Sequence, residues 1–360
     1  MILTHKDEFV VRNRPRLHHR GRPSSQHFSL PVLGLLCLLL TSAFSQSAQA
    51  QSPAQSPASH ISQSRPQLVW VDTDIGDDLD DAFAIALLLR SPQMQIVGIS
   101  TTFGDTELRA RLLDRFLASS HISDLPVFAG APTTTTNLFT QRDYAEHSPP
   151  RVHPDAVTAL LAAVHAYGNQ LTLLAIGPLF NVASAIERDP VTMHQLRRIV
   201  LMGGSIRQGY RTTHGQRTPP AAEWNIAQDP PGAATVFSSG IPLAVFPLDS
   251  TQIALRKTDR EAIFAAHTPL THQLHALYAE WQPHSWNHSA SPVLFDAVAA
   301  SAIVEPQLCP TQPMHITITA DGMTRSAPGA ANARVCLRAN HDGFLQLLSS
   351  RLAPAKARTP

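Results

Sequence analysis

The chain has 360 residues, of which 43% are hydrophobic and 15% are charged, and its formal net charge is +1. This length allows a large buried core. The interspersed charges of both signs argue against a nucleic-acid-binding face and an acidic tail. We therefore expect one large folded domain that binds no nucleic acid.

The N-terminal region differs in composition from the rest of the chain. Residues 1–27 are basic and polar, and residues 28–45 form an apolar run of signal-peptide length that is followed by small residues ending at Ala50. This order predicts a signal peptide over residues 1–50, cleaved after Ala50. The alternative is an uncleaved anchor, but the run is short for a bilayer span, which favours cleavage.

Export would place the rest of the chain in an oxidising compartment. Residues 51–66 are rich in Ser, Gln and Pro and predict a flexible linker, followed by a single domain over residues 67–355. We expect a periplasmic or secreted protein without a stable membrane anchor after cleavage. An oxidising location permits a disulfide between Cys309 and Cys336, although each could equally be a buried thiol.

The most informative stretch is residues 68–90. An apolar strand over 68–71 precedes a turn, and an apolar run of helical length follows over 82–89. The aspartates of this stretch lie within ten positions: Asp72, Asp74, Asp77, Asp78, Asp80 and Asp81. One or two of them could cap a helix, but so dense a group predicts a cation site, and oxygen ligands favour Ca²⁺ or Mg²⁺ over zinc.

The remaining elements follow in chain order. Strands are predicted over 95–102, 125–130, 171–176, 198–204 and 241–249, and helices over 106–115, 157–167 and 344–352. Residues 258–288 carry helical periodicity, residues 131–155 show none, and an edge hairpin with a turn at Asp321-Gly322 is predicted within 313–347. A strand, an acidic turn and a helix are typical of an α/β sheet whose site lies at the carboxyl ends of the strands.

Four motifs resemble those of the inosine-uridine nucleoside hydrolase family. Residues 72–85 read DTDIGDDLDDAFAI, similar to the signature DTDPGxDDAxAI. They are followed, in the order of the family, by GPLFN at 177–181, TPPAAEWN at 218–225 and SPVLFDAVAAS at 291–301. The chain is identified as a divergent, exported bacterial-type member. The resemblance implies an α/β fold with a mostly parallel open sheet flanked by helices and a Rossmann-like core.

The resemblance also implies a calcium-dependent N-ribosyl hydrolase that acts on ribonucleosides in purine and pyrimidine salvage. It assigns Ca²⁺ to the side chains of Asp74, Asp81 and Asp296 and to the backbone carbonyl of Ile176. Asp80 would take a proton from the attacking water. A small-molecule nucleoside is the expected partner, and homo-oligomerisation is left open.

The acidic motif departs from the signature in two ways. Ile75 replaces the usual proline, and two extra residues precede the Asp pair. With this changed spacing, Asp78 could replace Asp80 or Asp81 as the base or as a ligand.

The sugar and base contacts implied by the resemblance show further departures. Glu223 and Asn225 match residues that bind the ribose hydroxyls, and Asp105 stands at the position of an Asn that contacts the sugar. The alternative role for Asp105 is an N-cap. Arg217 aligns with an Asn that helps hold the 5′-hydroxyl, and Phe295 replaces a His that protonates the departing base. Phe295 could instead stack on the base.

Two other functions compete with hydrolysis. A calcium-dependent sugar-binding protein on the same fold would account for Phe295, Arg217 and Asp105, whereas the Asp pair argues against it. A phosphotransferase with an aspartate nucleophile would account for the sequence Asp-Thr-Asp after a strand, but it requires a lysine. No lysine lies between Gln51 and Arg256, so this function ranks last.

Overall fold

Parallel strands form the centre of the fold. The computed structural model describes residues 65–134, 139–212, 214–285 and 289–353. In these residues the strands are β1 (Gln67–Thr73), β2 (Met94–Thr101), β3 (Val127–Ala129), β4 (Leu171–Ala175), β5 (Arg198–Met202), β6 (Leu243–Phe246), β7 (Gln312–Met314), β8 (Ile316–Ile318), β9 (Thr324–Ser326) and β10 (Ala333–Val335). The predicted signal peptide and all but the last two residues of the predicted linker lie outside the described residues.

Helices occupy most of the connections between strands. They are α1 (Asp80–Leu89), α2 (Thr106–Ser119), α3 (Arg142–Glu146), α4 (Ala156–Tyr167), α5 (Phe180–Arg188), α6 (Pro190–Met193), α7 (Trp224–Ala227), α8 (Pro230–Ser238), α9 (Leu248–Thr251), α10 (Lys257–Phe264), α11 (Pro269–Trp281), α12 (Phe295–Val304) and α13 (His341–Leu352). Short 3₁₀ turns lie at Gly168–Gln170, Gln282–His284 and Pro306–Leu308. Among the helices that the structure describes, none is long and apolar enough to cross a membrane.

The main sheet has the strand order β3-β2-β1-β4-β5-β6-β10-β7. Every neighbouring pair is parallel except β10 and β7, which are antiparallel at one edge. The chain builds the sheet outward from β1 to β3 and then returns to add β4 on the other side of β1. The strand order therefore reverses between β1 and β4, which is where α/β sheets bind ligands. The predicted fold class is confirmed.

Each face of the sheet packs against its own set of helices. Val69 and Val71 of β1 contribute to one buried cluster with α1, α2, α12 and α13, whereas Trp70 contributes to a second cluster with α4, α5 and α8. This alternation follows from the two-residue period of a strand. Helix α12 is buried along its whole length and packs against α1, and apart from Asp296 at its start and Ser301 its side chains are apolar.

Several details differ from the sequence-based expectations. The predicted helical stretch at 258–288 is divided into α10 and α11 by a loop in which His267 adopts a positive φ of 51°. The predicted hairpin exists as β8 and β9 with its turn at Gly322, but it forms a separate two-stranded sheet, while β7 joins the main sheet. The stretch without periodicity contains α3. These connections depend on tertiary contacts that local patterns do not report.

A disulfide connects the two cysteines of the described residues. Cys309 and Cys336 are bonded with a Cα–Cα distance of 5.7 Å, and both are buried. Of the two alternatives that the sequence left open, the structure has the disulfide.

Candidate active site

The acidic turn between β1 and α1 lies at the carboxyl end of β1, beside the turn that follows β4. Two glycines make this arrangement sterically possible. Gly76 has a φ of +127°, and a Cβ atom there would lie 1.6 Å from the ring of Phe139. A Cβ atom at Gly177 would lie 2.8 Å from the backbone nitrogen of Asp74, so only glycine lets the turn after β4 approach the acidic turn.

Three buried carboxylates meet where α1 and α12 begin. Asp80, Asp81 and Asp296 each offer an oxygen, and these oxygens lie within 4.8 Å of one another. The three residues are only 3–5% exposed. The backbone N–H of Asp296 donates to Asp80 (3.3 Å), and the hydroxyl of Thr73 donates to Asp81. We call Asp80, Asp81 and Asp296 the carboxylate triad.

Electrostatics in the triad are unfavourable without a counter-charge. Burial raises the pKa of all three carboxyl groups well above the usual range, and repulsion between neighbouring carboxylates raises the pKa values further. This grouping differs from the assignment made from the sequence, which placed Asp74 among the ligands and kept Asp80 as the base. Local spacing could not show which carboxylates of the acidic turn would meet Asp296.

Asp74 lies beside the triad at the wall of the same cavity. Burial raises the pKa of its carboxyl group to about 7, against the opposing effect of Arg109, and the Trp224 side chain donates a hydrogen bond to it. Ile176, whose backbone carbonyl was a predicted ligand, lines the cavity nearby. Asp74 is therefore a buried carboxylate that can gain or lose a proton near neutral pH.

The other aspartates of the turn have different partners. The Asp72 carboxylate accepts hydrogen bonds from Ser100 and Asn181 beneath the site. Asp77 forms a salt bridge with Arg109 at 2.9 Å. Asp78 lines the cavity, accepts from the backbone N–H of the next residue at 2.8 Å, and raises the pKa of Asp80.

A cavity of about 770 Å³ opens above the carboxylates. Besides the aspartates, it is lined by Thr140, Ile176, Met202, Tyr210, Ala222, Glu223, Trp224, Asn225, Ala227, Gln228, Trp281, His284 and Phe295. Its volume is within the range of small-molecule sites, and its lining combines aromatic surface with a few polar groups.

Glu223 and Asn225 are both brought into this cavity by α7. The Glu223 carboxylate caps α7 and also accepts a hydrogen bond from the backbone N–H of Gly204 (2.9 Å). Burial raises its pKa to about 7, although these backbone hydrogen bonds act in the opposite direction. The Asn225 side-chain amide donates to the carbonyl of Met202 (3.1 Å). Both side chains are thus held rigidly at the wall.

Aromatic side chains and one imidazole form another part of the wall. Tyr210 packs edge-on against Phe295 with ring centroids 6.3 Å apart, and its hydroxyl accepts from the backbone N–H of Trp224 (3.0 Å). Trp281 and His284 come from the end of α11 and the 3₁₀ turn after it. Sequence patterns indicated no role for Tyr210 or Trp281, because an aromatic residue in a loop or at a helix end carries no local signal of a cavity.

Other sequence-predicted residues lie outside this cavity. Asp105 is exposed and caps α2 by accepting from the backbone N–H of Leu108 (3.0 Å), so the structure favours its capping role. Arg217 lines a separate surface pocket that also contains Asp249. The Asp249 carboxylate accepts two backbone hydrogen bonds and is structural.

Two histidines of the 131–155 stretch also lie away from the cavity. His147 is exposed and contacts the backbone carbonyl of Asp143. His153 is buried between the carboxylates of Glu107 and Asp114. Neither histidine lines the cavity, so neither is placed to contact a bound substrate.

Comparisons with known proteins agree with this architecture. The profile of the inosine-uridine preferring nucleoside hydrolase family matches residues 69–346. Non-specific ribonucleoside hydrolases RihC from Klebsiella pneumoniae and Escherichia coli are each 28% identical over 311 residues, covering 80% of this chain and 98% of theirs.

Solved structures show the same fold. A plant nucleoside hydrolase, PpNRh1, has a TM-score of 0.70 at 23% identity, covering 81% of this chain and 100% of its own. A purine-preferring ribonucleoside hydrolase from Gardnerella vaginalis has a TM-score of 0.69 at 23% identity, covering 79% and 98%. The chain therefore belongs to the inosine-uridine preferring nucleoside hydrolase family, a family of N-ribosyl hydrolases.

Proposed function

We propose that this protein is a calcium-dependent hydrolase of ribonucleosides that releases ribose and a free base. The carboxylate triad at the wall of the 770 Å³ cavity is the observation that carries the proposal. The names of the RihC relatives, non-specific ribonucleoside hydrolases, support the substrate class.

The residues of the triad fit a hard divalent cation. Three carboxylates almost completely withdrawn from water repel one another, and their oxygens are the ligands that Ca²⁺ prefers. We assign the ion to Asp80, Asp81 and Asp296, with the backbone carbonyl of Ile176 as a further ligand. When bound, Ca²⁺ would supply positive charge that attracts sugar hydroxyls and favours the ionisation of water.

Asp74 is the general base in this proposal. It lies outside the group of three oxygens but at the wall of the same cavity, so its carboxylate can accept a proton from a water bound there. Asp74 would take the proton of the water that attacks the anomeric carbon. This exchanges the roles that the sequence suggested for Asp74 and Asp80.

Glu223 and Asn225 would orient the ribose. Each side chain is already fixed by backbone groups, so little conformational entropy is lost when a sugar hydroxyl binds. A carboxylate and an amide two residues apart can bind neighbouring hydroxyls of a polyol. We place the ribose between these residues and the triad.

The departing base would occupy the aromatic part of the cavity. Phe295 and Trp281 offer ring surface on which a purine or pyrimidine can stack. Among the described residues that line the cavity, His284 carries the imidazole, the side chain suited to proton donation near neutral pH. The Tyr210 hydroxyl is a poorer acid, because burial raises its pKa well above 10. We therefore assign protonation of the base to His284.

Release of ribose from a panel of nucleosides tests this function. The purified protein would be assayed with Ca²⁺ and with a chelator, and ribose release should require the ion. Asp81→Asn should abolish it, whereas Asp155→Asn should not, since Asp155 is an exposed N-cap on α4 away from the cavity. No release from any nucleoside by the wild-type protein would overturn the proposal.

The two acids with exchanged roles can be separated by a binding measurement. Asp74→Asn should keep Ca²⁺ binding and lose turnover, whereas Asp80→Asn should lose Ca²⁺ binding. The opposite pattern would restore the assignment made from the sequence.

A sugar-binding protein without hydrolysis is the second candidate. It is favoured by Phe295 and by Arg217, which lies in a separate pocket and provides no 5′-hydroxyl contact in the cavity. Calcium-dependent ribose binding without nucleoside cleavage would support it.

We also propose that the protein is exported to the periplasm or secreted. The N-terminal sequence and the disulfide between Cys309 and Cys336 support this location. Fractionation of cells that produce the tagged protein would test it, and a full-length cytoplasmic product would contradict it.

A further inference from the structure

A buried arginine lies directly beneath the acidic turn. Arg109 belongs to α2 and is only 2% exposed. Its Nη1 atom donates to the backbone carbonyls of Asp74 and Ile75 (3.0 Å to the latter), and its Nη2 atom donates to the Asp77 carboxylate (2.9 Å). Its Nε atom donates to the carbonyl of Phe103 (2.8 Å). One guanidinium group thus joins the ends of β1 and β2.

These contacts define a specific role for Asp77. A buried guanidinium needs a counter-ion, and the salt bridge supplies one. One oxygen of the Asp77 carboxylate is therefore held by Arg109, at the edge of the cavity that Asp77 also lines. Lysine could not replace Arg109, because a single ammonium group lacks the planar fork that reaches several acceptors at once.

The opposite side of the turn is held by the segment at 139–141. The Thr140 hydroxyl donates to the carbonyl of Asp77 (2.8 Å), and the Gln141 side chain donates to the carbonyl of Asp78 (2.7 Å). The ring of Phe139 lies 5.2 Å from the Arg109 guanidinium carbon. Asp77 and Asp78, which stand where the family signature is shorter, are thus held from two sides.

We propose that Arg109 is a positioning residue for the cation site, with Asp77 as its counter-ion. Arg109 holds the turn from Asp74 to Asp77 in place, and this turn leads directly into the Asp80-Asp81 pair. The inference rests on the cation site proposed above and names a residue that touches neither the cation nor the substrate.

The direction in which Arg109→Gln changes the Ca²⁺ affinity distinguishes a positioning role from a purely electrostatic one. Loss of a fixed positive charge near a cation site, with no other change, would strengthen Ca²⁺ binding. Loss of a group that orients the ligands weakens binding, by about 10–100-fold for supporting residues behind metal ligands. We expect Arg109→Gln to weaken Ca²⁺ binding by about that factor.

Calorimetric titration of the metal-free protein with CaCl₂ provides the test. Arg115→Gln is the matched control, because Arg115 lies on the same helix and donates to the carbonyl of Tyr144 (2.8 Å) without contacting the turn. It should leave the Ca²⁺ affinity unchanged. Arg109→Lys keeps the positive charge but lacks the planar fork, so it should weaken binding as well.

Each outcome bears on one proposal. If the wild-type protein does not bind Ca²⁺, the proposed cation site is wrong. If it binds and both Arg109→Gln and Arg109→Lys bind as tightly or more tightly, the positioning role is overturned. If Arg109→Gln does not fold, the result for Arg109→Lys decides, with thermal melting without Ca²⁺ to show that this variant is folded.

Discussion

Breaking the disulfide should destabilise the fold while leaving the chemistry of the cavity intact. The bond joins Cys309, which follows the 3₁₀ turn after α12, to Cys336, which follows β10, across a sequence separation of 27. Neither sulfur lines the cavity. The cross-link therefore acts mainly on the unfolded chain, in which it restricts the loop that contains β7 to β10.

The magnitude follows from the size of this loop. In the chain-entropy account, closing a loop of about 27 residues stabilises the folded state by about 3.5 kcal/mol at 25 °C. A folded region of about 290 residues has an unfolding entropy of about 0.6 kcal/mol/K, so reduction should lower the Tm by about 6 °C.

Thermal and urea unfolding of oxidised and reduced protein would measure the effect. Reduction leaves the two sulfur atoms in the core, so the comparison isolates the cross-link from packing. The urea m-value should rise, because the unfolded chain becomes less compact. A Cys309→Ala/Cys336→Ala variant should be insensitive to reductant, and ribose release below its Tm should be unchanged. Equal Tm values for oxidised and reduced wild-type protein would refute the reasoning.

Three other measurements test the site and its surroundings. Calcium at 100 times its Kd should raise the free energy of unfolding by about 2.7 kcal/mol. A chelator should remove this stabilisation, and the Asp81→Asn variant should not be stabilised by calcium. His284→Gln should slow hydrolysis of inosine and uridine by about 10²–10⁴-fold. It should not slow hydrolysis of p-nitrophenyl riboside, because that leaving group needs no proton. Equal losses of activity on the nucleosides and on the p-nitrophenyl substrate would exclude proton donation by His284. Burial lowers the pKa of His153, but its contacts with Asp114 and Glu107 outweigh burial and raise it. The stabilisation by charged His153 should therefore be complete at pH values below the pKa of the unfolded state, and it should be lost as the pH rises through the higher pKa of the folded state. The Tm of His153→Gln, measured across this pH range, should lack this pH-dependent stabilisation.

Local sequence patterns were sufficient for much of the fold. The apolar run before Asp72 predicted β1, and the run after Asp81 predicted α1, because the period and length of apolar segments report which faces are buried. The boundaries were less accurate. The strand predicted over 241–249 ends as β6 at Phe246, and its last residues form α9, since Asp249 is drawn into backbone hydrogen bonds with a distant loop.

Several residues that the motifs selected lie at the wall of the cavity. Glu223, Asn225 and Phe295 line it with the carboxylates. Asp105 and Arg217 were selected by the same alignment of motifs and lie outside the cavity. A motif reports residue type and order, but it does not report where a side chain points when neighbouring residues differ.

By itself, the sequence determined the residue types of the site and the strands that carry them. Only the tertiary structure decided which carboxylates meet. Asp80 and Asp296 are 216 positions apart, and they come together because α12 packs against α1. It also decided that Asp77 pairs with Arg109 and that Trp281 and His284 reach the cavity. The physical reason is that local periodicity shows which face of an element is buried, whereas strand order and helix packing determine what that face meets.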